Sequence, residues 1–305
     1  MNRHRARAAQ APWLGVHAGE TALLGALALP GGTRPRVQLM PPAPVPAQSA
    51  ALRGWRASAA RAMRANVVLR GAEYRVLPIE PPPLERGELR EAARWQVADA
   101  LDFPVEDAAI ALLHLPAQAG SQRNTCFVVA SPQEPVTAWV ECCKSAQLPL
   151  AAVDIPEMAM RNLSVLAAGD VAHAFLYVGI RSTRLALIWR RELCSFRQLD
   201  IPAAQLVGSS ETEPSPLMER LALEIQRTAD AFSRQFSGVD LETLWLASVL
   251  EPAQLADQLG LQIAQRVQVY DVAQHVEVSG GAVLDLPQGR DYLLAIGGAL
   301  RQESP

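Results

Sequence analysis

The sequence predicts an α/β protein built from two similar halves. Short apolar segments with strand character alternate with longer segments whose apolar residues recur at helical spacing. Each half opens with two apolar segments around a short turn that contains glycine, which is typical of a β-hairpin. The alternation indicates layers of sheet and helix, and the repeated opening hairpin indicates an internal duplication.

Composition favours a folded chain whose core is built from small and branched side chains. Half of the 305 residues are hydrophobic, 19% are charged and only 5% are aromatic. The formal net charge of −3 provides no excess of basic residues for nucleic acid, so no nucleic-acid partner is expected. Lys144 is the only lysine, and a mechanism that needs a positioned lysine would have to use it.

Targeting signals and metal motifs are both weak. No segment has the ~20 consecutive apolar residues of a membrane-spanning helix. The basic start over residues 1–7 precedes no adequate signal-peptide core, so export is not expected. The cysteines lack metal-ligand spacing and are expected to be buried, reduced thiols: Cys126, Cys142, Cys143 and Cys194.

Strand, helix and turn signals order the first half. Segments 13–16 and 22–29 form the first predicted hairpin, and the proline-rich residues 41–46 form a surface connection. Further strands are predicted over 66–69, 74–79, 108–113, 124–130 and 151–155. Helices are predicted over 48–65, 85–101, 134–147 and 156–167. In the second helix apolar residues recur at every fourth position and define one face: Leu89, Ala93, Val97 and Leu101.

The second half repeats the pattern. Strands are predicted over 172–178, 184–189, 192–199, 244–247 and 266–270, and helices over 214–236, 252–259 and 291–301. The predicted organisation is a flexible tail over 1–10, a first lobe over 11–167 and a second lobe over 168–305. The first lobe is expected to carry an inserted subdomain around 67–150.

Four ordered segments carry a resemblance to a known family. They are ELREAARWQ with DFP at 88–96 and 102–104, AAVDIP at 151–156, the predicted hairpin over 177–197, and EIQRTADAF at 224–232. Together they resemble the PilM family of actin-like type IV pilus assembly proteins, and more closely its MshI branch from the mannose-sensitive haemagglutinin (MSHA) pilus system. The resemblance implies an actin-like, ribonuclease H-like fold of duplicated lobes, with mixed sheets flanked by helices.

The resemblance also implies a nucleotide cleft between two hairpin turns, from which this sequence departs. In the family an acidic residue ends each leading strand and helps to hold Mg²⁺, which prefers oxygen ligands. Here His17 or Val16 stands at the first position and Val178 at the second. The family's glycine cluster near the adenine is replaced by Ser-Val-Leu-Glu-Pro at 248–252, where Cβ atoms and a proline hinder close backbone approach.

No cofactor is therefore expected, and binding of ATP with Mg²⁺ is disfavoured. Turns of this kind bind phosphate through backbone N–H groups. The residues that survive from such a cleft, and that we predict to line it in degenerate form, are Gly15, Gly19, Gly179, Ser182 and Thr183. The chain is not expected to be an enzyme.

The family resemblance implies a scaffold or adaptor of a pilus assembly platform. Its partner would be the N-terminal cytoplasmic tail of a PilN-like inner-membrane protein, and it would lie in the cytoplasm, at the inner membrane only through that partner. The predicted docking residues are Arg94, Trp95, Asp102 and Phe103. Acids at 102, 106 and 107 would steer a basic tail. We interpret Trp95 either as an anchor of that interface or as a residue of the hydrophobic core, and we favour the core.

Two other classes stay open at this point. One is an actin-fold ATP-binding protein or ATPase with eroded motifs, which the missing acids at both turns disfavour. The other is the cytoplasmic domain of a type II secretion protein of similar fold. Such a chain is expected to carry a membrane-spanning segment after its actin-like part, and this sequence shows none.

Overall fold

A computed structural model describes residues 12–30, 32–59, 63–82, 86–116, 125–206, 215–279 and 290–302. The strands are β1 Trp13–Ala18, β2 Leu23–Leu29, β3 Arg36–Leu39, β4 Arg64–Val68, β5 Arg75–Ile79, β6 Ala108–His114, β7 Cys126–Pro132, β8 Leu150–Asp154, β9 His173–Val178, β10 Thr183–Trp189, β11 Glu192–Leu199, β12 Thr243–Ser248, β13 Arg266–Val269 and β14 Glu277–Ser279. The helices are α1 Gln48–Ser58, α2 Arg86–Gln96, α3 Gln133–Ser145, α4 Pro156–Ala168, α5 Ala203–Leu206, α6 Pro216–Gln235, α7 Ala253–Gly260, α8 Val272–His275 and α9 Leu293–Ala299.

Two sheets share one topology. The first runs β14-β3-β2-β1-β4-β8 and the second β11-β10-β9-β12-β13. In the first, β1, β2 and β3 are antiparallel, while β4 and β8 run parallel to β1. In the second, β9, β10 and β11 are antiparallel, while β12 and β13 run parallel to β9. The predicted α/β fold with a duplicated, hairpin-led sheet is confirmed.

A third sheet, β5-β7-β6, is small and antiparallel. Helix α2 packs on it through the predicted stripe, since Leu89, Ala93 and Val97 are buried and Leu101 is half-buried. This sheet lies within the range 67–150 that was predicted as an inserted subdomain. The lobe boundaries themselves stay a prediction, and the predicted tail over 1–10 lies outside the described residues.

The end of the chain returns to the first sheet. Strand β14 pairs in parallel with β3, where Val278 lies opposite Val37. Helix α9 then packs against β1, and the Tyr292 hydroxyl donates to the Met40 carbonyl oxygen at 2.7 Å. Residues from the range predicted as the second lobe, 168–305, therefore also complete the first sheet.

The hydrophobic core has two large parts. One lies under α1 and α3 and includes Leu14, Leu52 and Trp55. The other surrounds the second sheet around Phe175 and Phe232, and it also includes residues of the first sheet: Leu24, Ala26, Val37, Leu39 and Val68. All four cysteines are free and buried, as predicted. In the parts of the chain described above, no helix combines the length and apolar character needed to span a bilayer.

Two predicted helices end earlier than expected. The helix predicted over 48–65 ends at Ser58, and Arg64 already belongs to β4 because it pairs with Trp13 of β1. Strand pairing overrides the helical propensity of the alanine-rich segment. The helix predicted over 85–101 ends at Gln96 and continues as a 3-10 turn over Ala98–Ala100, and residue 85 lies outside the described residues.

Candidate functional site

The two leading hairpins of the first and second sheets have turns of the same construction. The Gly19 N–H donates to the Ala22 carbonyl oxygen at 2.9 Å, and the Gly179 N–H donates to the Ser182 carbonyl oxygen at 3.0 Å. A Cβ at Gly179 would lie 2.9 Å from that Ser182 oxygen, so this turn needs glycine. Both turns line one cavity of about 90 Å³ between the sheets.

The cavity brings together three of the five predicted cleft residues: Gly19, Gly179 and Ser182. Gly15 instead lies against the last helix, where a Cβ would come within 2.0 Å of the Ala295 carbonyl oxygen. Thr183 is buried and donates its hydroxyl to the Ile201 carbonyl oxygen at 2.7 Å. Gly15 and Thr183 are packing and turn residues in this structure, which corrects their placement at the cleft.

An ion pair crosses the mouth of the cavity. Glu20 of the first turn binds Arg181 of the second through its carboxylate and the guanidinium Nε. The Arg181 side chain is 78% exposed and the Glu20 side chain 38% exposed. The exposed arginine of the second turn is therefore already paired with an acid from the first turn.

The position expected for a metal-binding acid holds a neutral imidazole. His17 Nδ1 lies 3.1 Å from the Val68 carbonyl oxygen, and burial lowers the pKa of His17 to about 4. Val178 is fully buried at the matching place in the second sheet. In the described ranges no group of three or more His, Cys, Asp and Glu residues could hold a metal ion.

A buried polar network lies behind the turns. The Tyr74 hydroxyl donates to Glu157 Oε2 at 2.5 Å, and Arg184 Nε lies 3.6 Å from Glu157 Oε1. Burial raises the pKa of Glu157, although the Arg184 charge opposes that rise, and burial raises the pKa of Tyr74 further above 10. Sequence reasoning missed this network. Its one local signal is the charged Glu157 inside the apolar run 155–160.

The loop after β12 forms a further wall of the cavity, beside the two hairpin turns. The Val249 N–H donates to the Val178 carbonyl oxygen at 3.0 Å, and the Ser248 hydroxyl accepts from the Leu250 N–H at 3.1 Å. Glu251 is paired with Arg290 at 2.9 Å.

Pockets for drug-sized ligands are typically about 300–1,000 Å³. A cavity of about 90 Å³ is too small for a nucleotide without movement of its walls.

The predicted docking residues lie on and after α2. Trp95 is 57% exposed, so the favoured core interpretation was wrong. Arg94 Nη1 donates to the carbonyl oxygens of Val105 at 2.6 Å and Ala108 at 2.9 Å, which fixes the turn after the helix. Arg75 and Asp102 form an exposed ion pair at 2.6 Å, and Phe103 is half-buried.

A second groove of about 280 Å³ lies between β6, α4, β11 and the end of α9. Its apolar lining comes from Leu112, Leu113, Met158 and Leu193. Two ion pairs form its polar walls: Arg161 with Glu192 at 3.2 Å, and Arg301 with Asp154 at 2.5 Å. The groove thus offers apolar contact flanked by charges of both signs.

Two lobes with the same hairpin-led sheet, facing each other across a cleft between the hairpin turns, define an actin-like fold. A solved chain from a PilM–PilN type IV pilus biogenesis complex is similar to this one, with a TM-score of 0.72, 20% identity, and coverage of 95% of this chain and 98% of that chain. The cytoplasmic domain of EpsL, an inner-membrane component of the Vibrio cholerae type II secretion system, is similar at a TM-score of 0.53 and 13% identity. The similarity covers 96% of this chain and 97% of that chain.

A Bacteroides thetaiotaomicron protein with an actin-like ATPase fold and unknown function is similar at a TM-score of 0.51 and 12% identity, over 85% of this chain and 90% of that chain. No family model and no curated protein sequence matches the chain. At these identities the similarity establishes the fold alone.

Proposed function

We propose that this chain is a scaffold or adaptor of a type IV pilus assembly platform and not an enzyme. The observation that supports the proposal is the cleft, because its volume of about 90 Å³ is below that of typical ligand pockets and the Glu20–Arg181 ion pair joins its two turns. Similarity to a chain of the PilM–PilN complex over 95% of the sequence supports the pilus assignment. The four sequence segments favour the MshI branch of that family.

The proposed partner is the N-terminal cytoplasmic tail of a PilN-like inner-membrane protein. In the similar pilus biogenesis complex, PilM is assembled with PilN, and EpsL is an inner-membrane component of a type II secretion system. We place the chain in the cytoplasm, peripheral at the inner membrane through this partner. Its role is to anchor the tail while a separate ATPase supplies work.

We propose that the tail docks beside α2. Trp95 is an exposed aromatic side chain on a helix whose opposite face is buried, and such residues are frequent interface anchors. Asp102 and Phe103 lie in the turn that Arg94 holds through its two carbonyl contacts. Exposed Glu106 and Asp107 add negative charge that steers a basic, membrane-proximal tail.

The test is a calorimetric titration of the full chain with a synthetic peptide of the partner's N-terminal tail. We expect Trp95→Ala to weaken binding at least about tenfold, as loss of an anchor does. Asp102→Arg should slow association and make it less sensitive to salt. Leu261→Ala in the second lobe is the matched control, because Leu261 is also an exposed apolar residue, at 89% exposure.

A further variant, Leu112→Ser, tests the groove between β6, α4 and β11. If this variant loses the peptide while Trp95→Ala keeps it, the docking surface moves to that groove and the scaffold role stands. If the wild-type chain shows no binding to the tail peptide, the proposed partner is wrong.

The alternative function is an actin-fold ATP-binding protein or ATPase. The shared construction of the turns at Gly19 and Gly179 favours it, because phosphate-binding turns have this form. Hydrolysis of Mg-ATP by the purified chain, lost on substitution of Ser182, would support this alternative.

A further inference from the structure

Two contacts join the first half of the chain to the second at the cleft. One is the ion pair between Glu20, in the turn after β1, and Arg181, in the turn after β9. The other is the network in which Tyr74 and Glu157 from the first half meet Arg184 of β10. We call these five residues the interlobe latch.

The inner contact consists of charged groups removed from water. The Glu157 side chain is 1% exposed and the Arg184 side chain is 10% exposed. A buried charge is strongly unfavourable unless it is paired and hydrogen-bonded, and removing one partner leaves the other uncompensated. Without the Arg184 charge, the buried Glu157 carboxylate would keep the Tyr74 hydroxyl and a backbone hydrogen bond but no opposite charge.

The surrounding backbone is shaped to admit the guanidinium. A Cβ at Gly71 would lie 2.3 Å from Arg184 Nη2, so the loop after β4 approaches Arg184 closely because residue 71 is glycine. Gln198 of β11 lies on the same side, with its Oε1 3.1 Å from that Cβ position. Arg184 is therefore enclosed by elements of both halves.

The outer contact has the opposite character. Glu20 and Arg181 are both partly exposed, so their pairing is weak by itself and does not decide whether the chain folds. It nevertheless spans the two turns where the family resemblance places a bound phosphate. Side chains of the protein thus connect the two halves both at the turns, through Glu20 and Arg181, and behind them, through Tyr74, Glu157 and Arg184.

We propose that the interlobe latch holds the two lobes in one closed arrangement without nucleotide. The latch couples the two lobes in place of a bound nucleotide. The docking surface on the first lobe is then available to the partner at all times. The latch rests on the proposed function, and an adaptor held in this way is not switched by ATP.

The test measures a distance between the lobes by double electron–electron resonance. Spin labels are attached at Ala50→Cys on α1 and Gln254→Cys on α7, which are both exposed, while the native cysteines are buried. We expect one narrow distance distribution that Mg-ATP does not change. In Arg184→Met and in Glu157→Gln we expect a second, longer distance, because each change disrupts the network that ties Tyr74 of the first half to α4 and β10.

Two further variants keep the test decisive. Glu20→Ala with Arg181→Ala changes only exposed side chains, so the protein stays folded, and we expect it to broaden the distribution. Arg227→Ala is the matched control, because Arg227 pairs with Glu224 inside α6 and does not cross the lobes. Its distribution should equal that of the wild type.

The outcomes separate the latch from the proposed function. Folded latch variants with the wild-type distribution would overturn the latch and leave the adaptor role intact. A wild-type distribution that shifts with Mg-ATP would overturn both the latch and the exclusion of nucleotide. If the wild-type chain shows the single narrow distance distribution but does not bind the tail peptide, only the proposed partner is wrong.

Discussion

Gly15 of β1 and Ala295 of α9 are in direct backbone contact. A Cβ at Gly15 would lie 2.0 Å from the Ala295 carbonyl oxygen and 2.4 Å from the Ala299 nitrogen. The last helix therefore sits on the first strand because that position has no side chain. The glycine that resembles part of a nucleotide-binding turn serves instead to bring the end of the chain onto the first sheet.

The first prediction concerns this contact. We expect Gly15→Ala to lower the free energy of unfolding by about 3 kcal/mol, because the neighbouring atoms are backbone and cannot move aside cheaply. Gly54→Ala is the matched control. Gly54 is exposed on α1 with nothing within 4 Å of its Cβ position, so alanine should raise stability by about 0.5–1 kcal/mol. Urea unfolding measures both, and equal effects would contradict the packing.

The second prediction concerns the two faces of α2. Trp95→Ala should change the free energy of unfolding by less than about 0.5 kcal/mol, because the side chain is 57% exposed. Leu89→Ala removes a buried side chain on the opposite face and should lower stability by about 2–3 kcal/mol. Thermal and urea unfolding check both values, and a Trp95 variant that unfolds would restore the core interpretation.

The third prediction concerns pH. The pKa of His17 falls from the ordinary histidine value of 6.5 to about 4 in the folded chain, so the unfolded chain binds the extra proton between these pH values. His17 should therefore reduce the free energy of unfolding as pH falls from 6.5 to 4, by up to about 3 kcal/mol. Buried Glu157, with its raised pKa, acts in the opposite direction.

The reference for this effect is His17→Gln, whose amide can still donate to the Val68 carbonyl oxygen but does not titrate. The difference in unfolding free energy between wild type and variant should grow steadily below pH 6.5. A difference that stays constant down to pH 4 would show that the imidazole titrates normally.

The fourth prediction concerns the thiols. Burial raises the pKa of Cys143 and of Cys194 to about 12, and a thiol reacts as its thiolate. We expect the native chain to leave all four cysteines unmodified by a thiol-specific disulfide reagent at neutral pH, and the urea-unfolded chain to react fully. Rapid modification before unfolding would contradict the burial of these residues.

The sequence predicted the features that local pattern determines. Hairpins at 13–29 and 172–189 follow from apolar segments around short turns, and the duplication follows from their recurrence. The buried face of α2 follows from Leu89, Ala93 and Val97. That same stripe places Trp95 on the opposite face, since residues two positions apart point away from each other on a helix. The large apolar ring of tryptophan favours burial, and the core interpretation gave that preference more weight than the stripe.

The features that sequence did not predict depend on distant pairing. Strand β14 has three residues and meets β3 across more than two hundred positions, so no local pattern indicates it. Strand periodicity also does not say whether a glycine faces a ligand or a helix, which is why Gly15 was misplaced. The Tyr74–Glu157 contact joins residues 83 positions apart, and only the fold brings them together.

The most direct test of the adaptor role is thermal melting of the full chain in four conditions: alone, with Mg-ATP, with the partner's tail peptide, and with both. A ligand of the native state at about 100 times its Kd adds about 2.7 kcal/mol, which raises the melting temperature measurably. An adaptor that excludes nucleotide should show a rise with the peptide and none with Mg-ATP at millimolar concentration. A reproducible rise with Mg-ATP, together with no response to the peptide, would contradict that role.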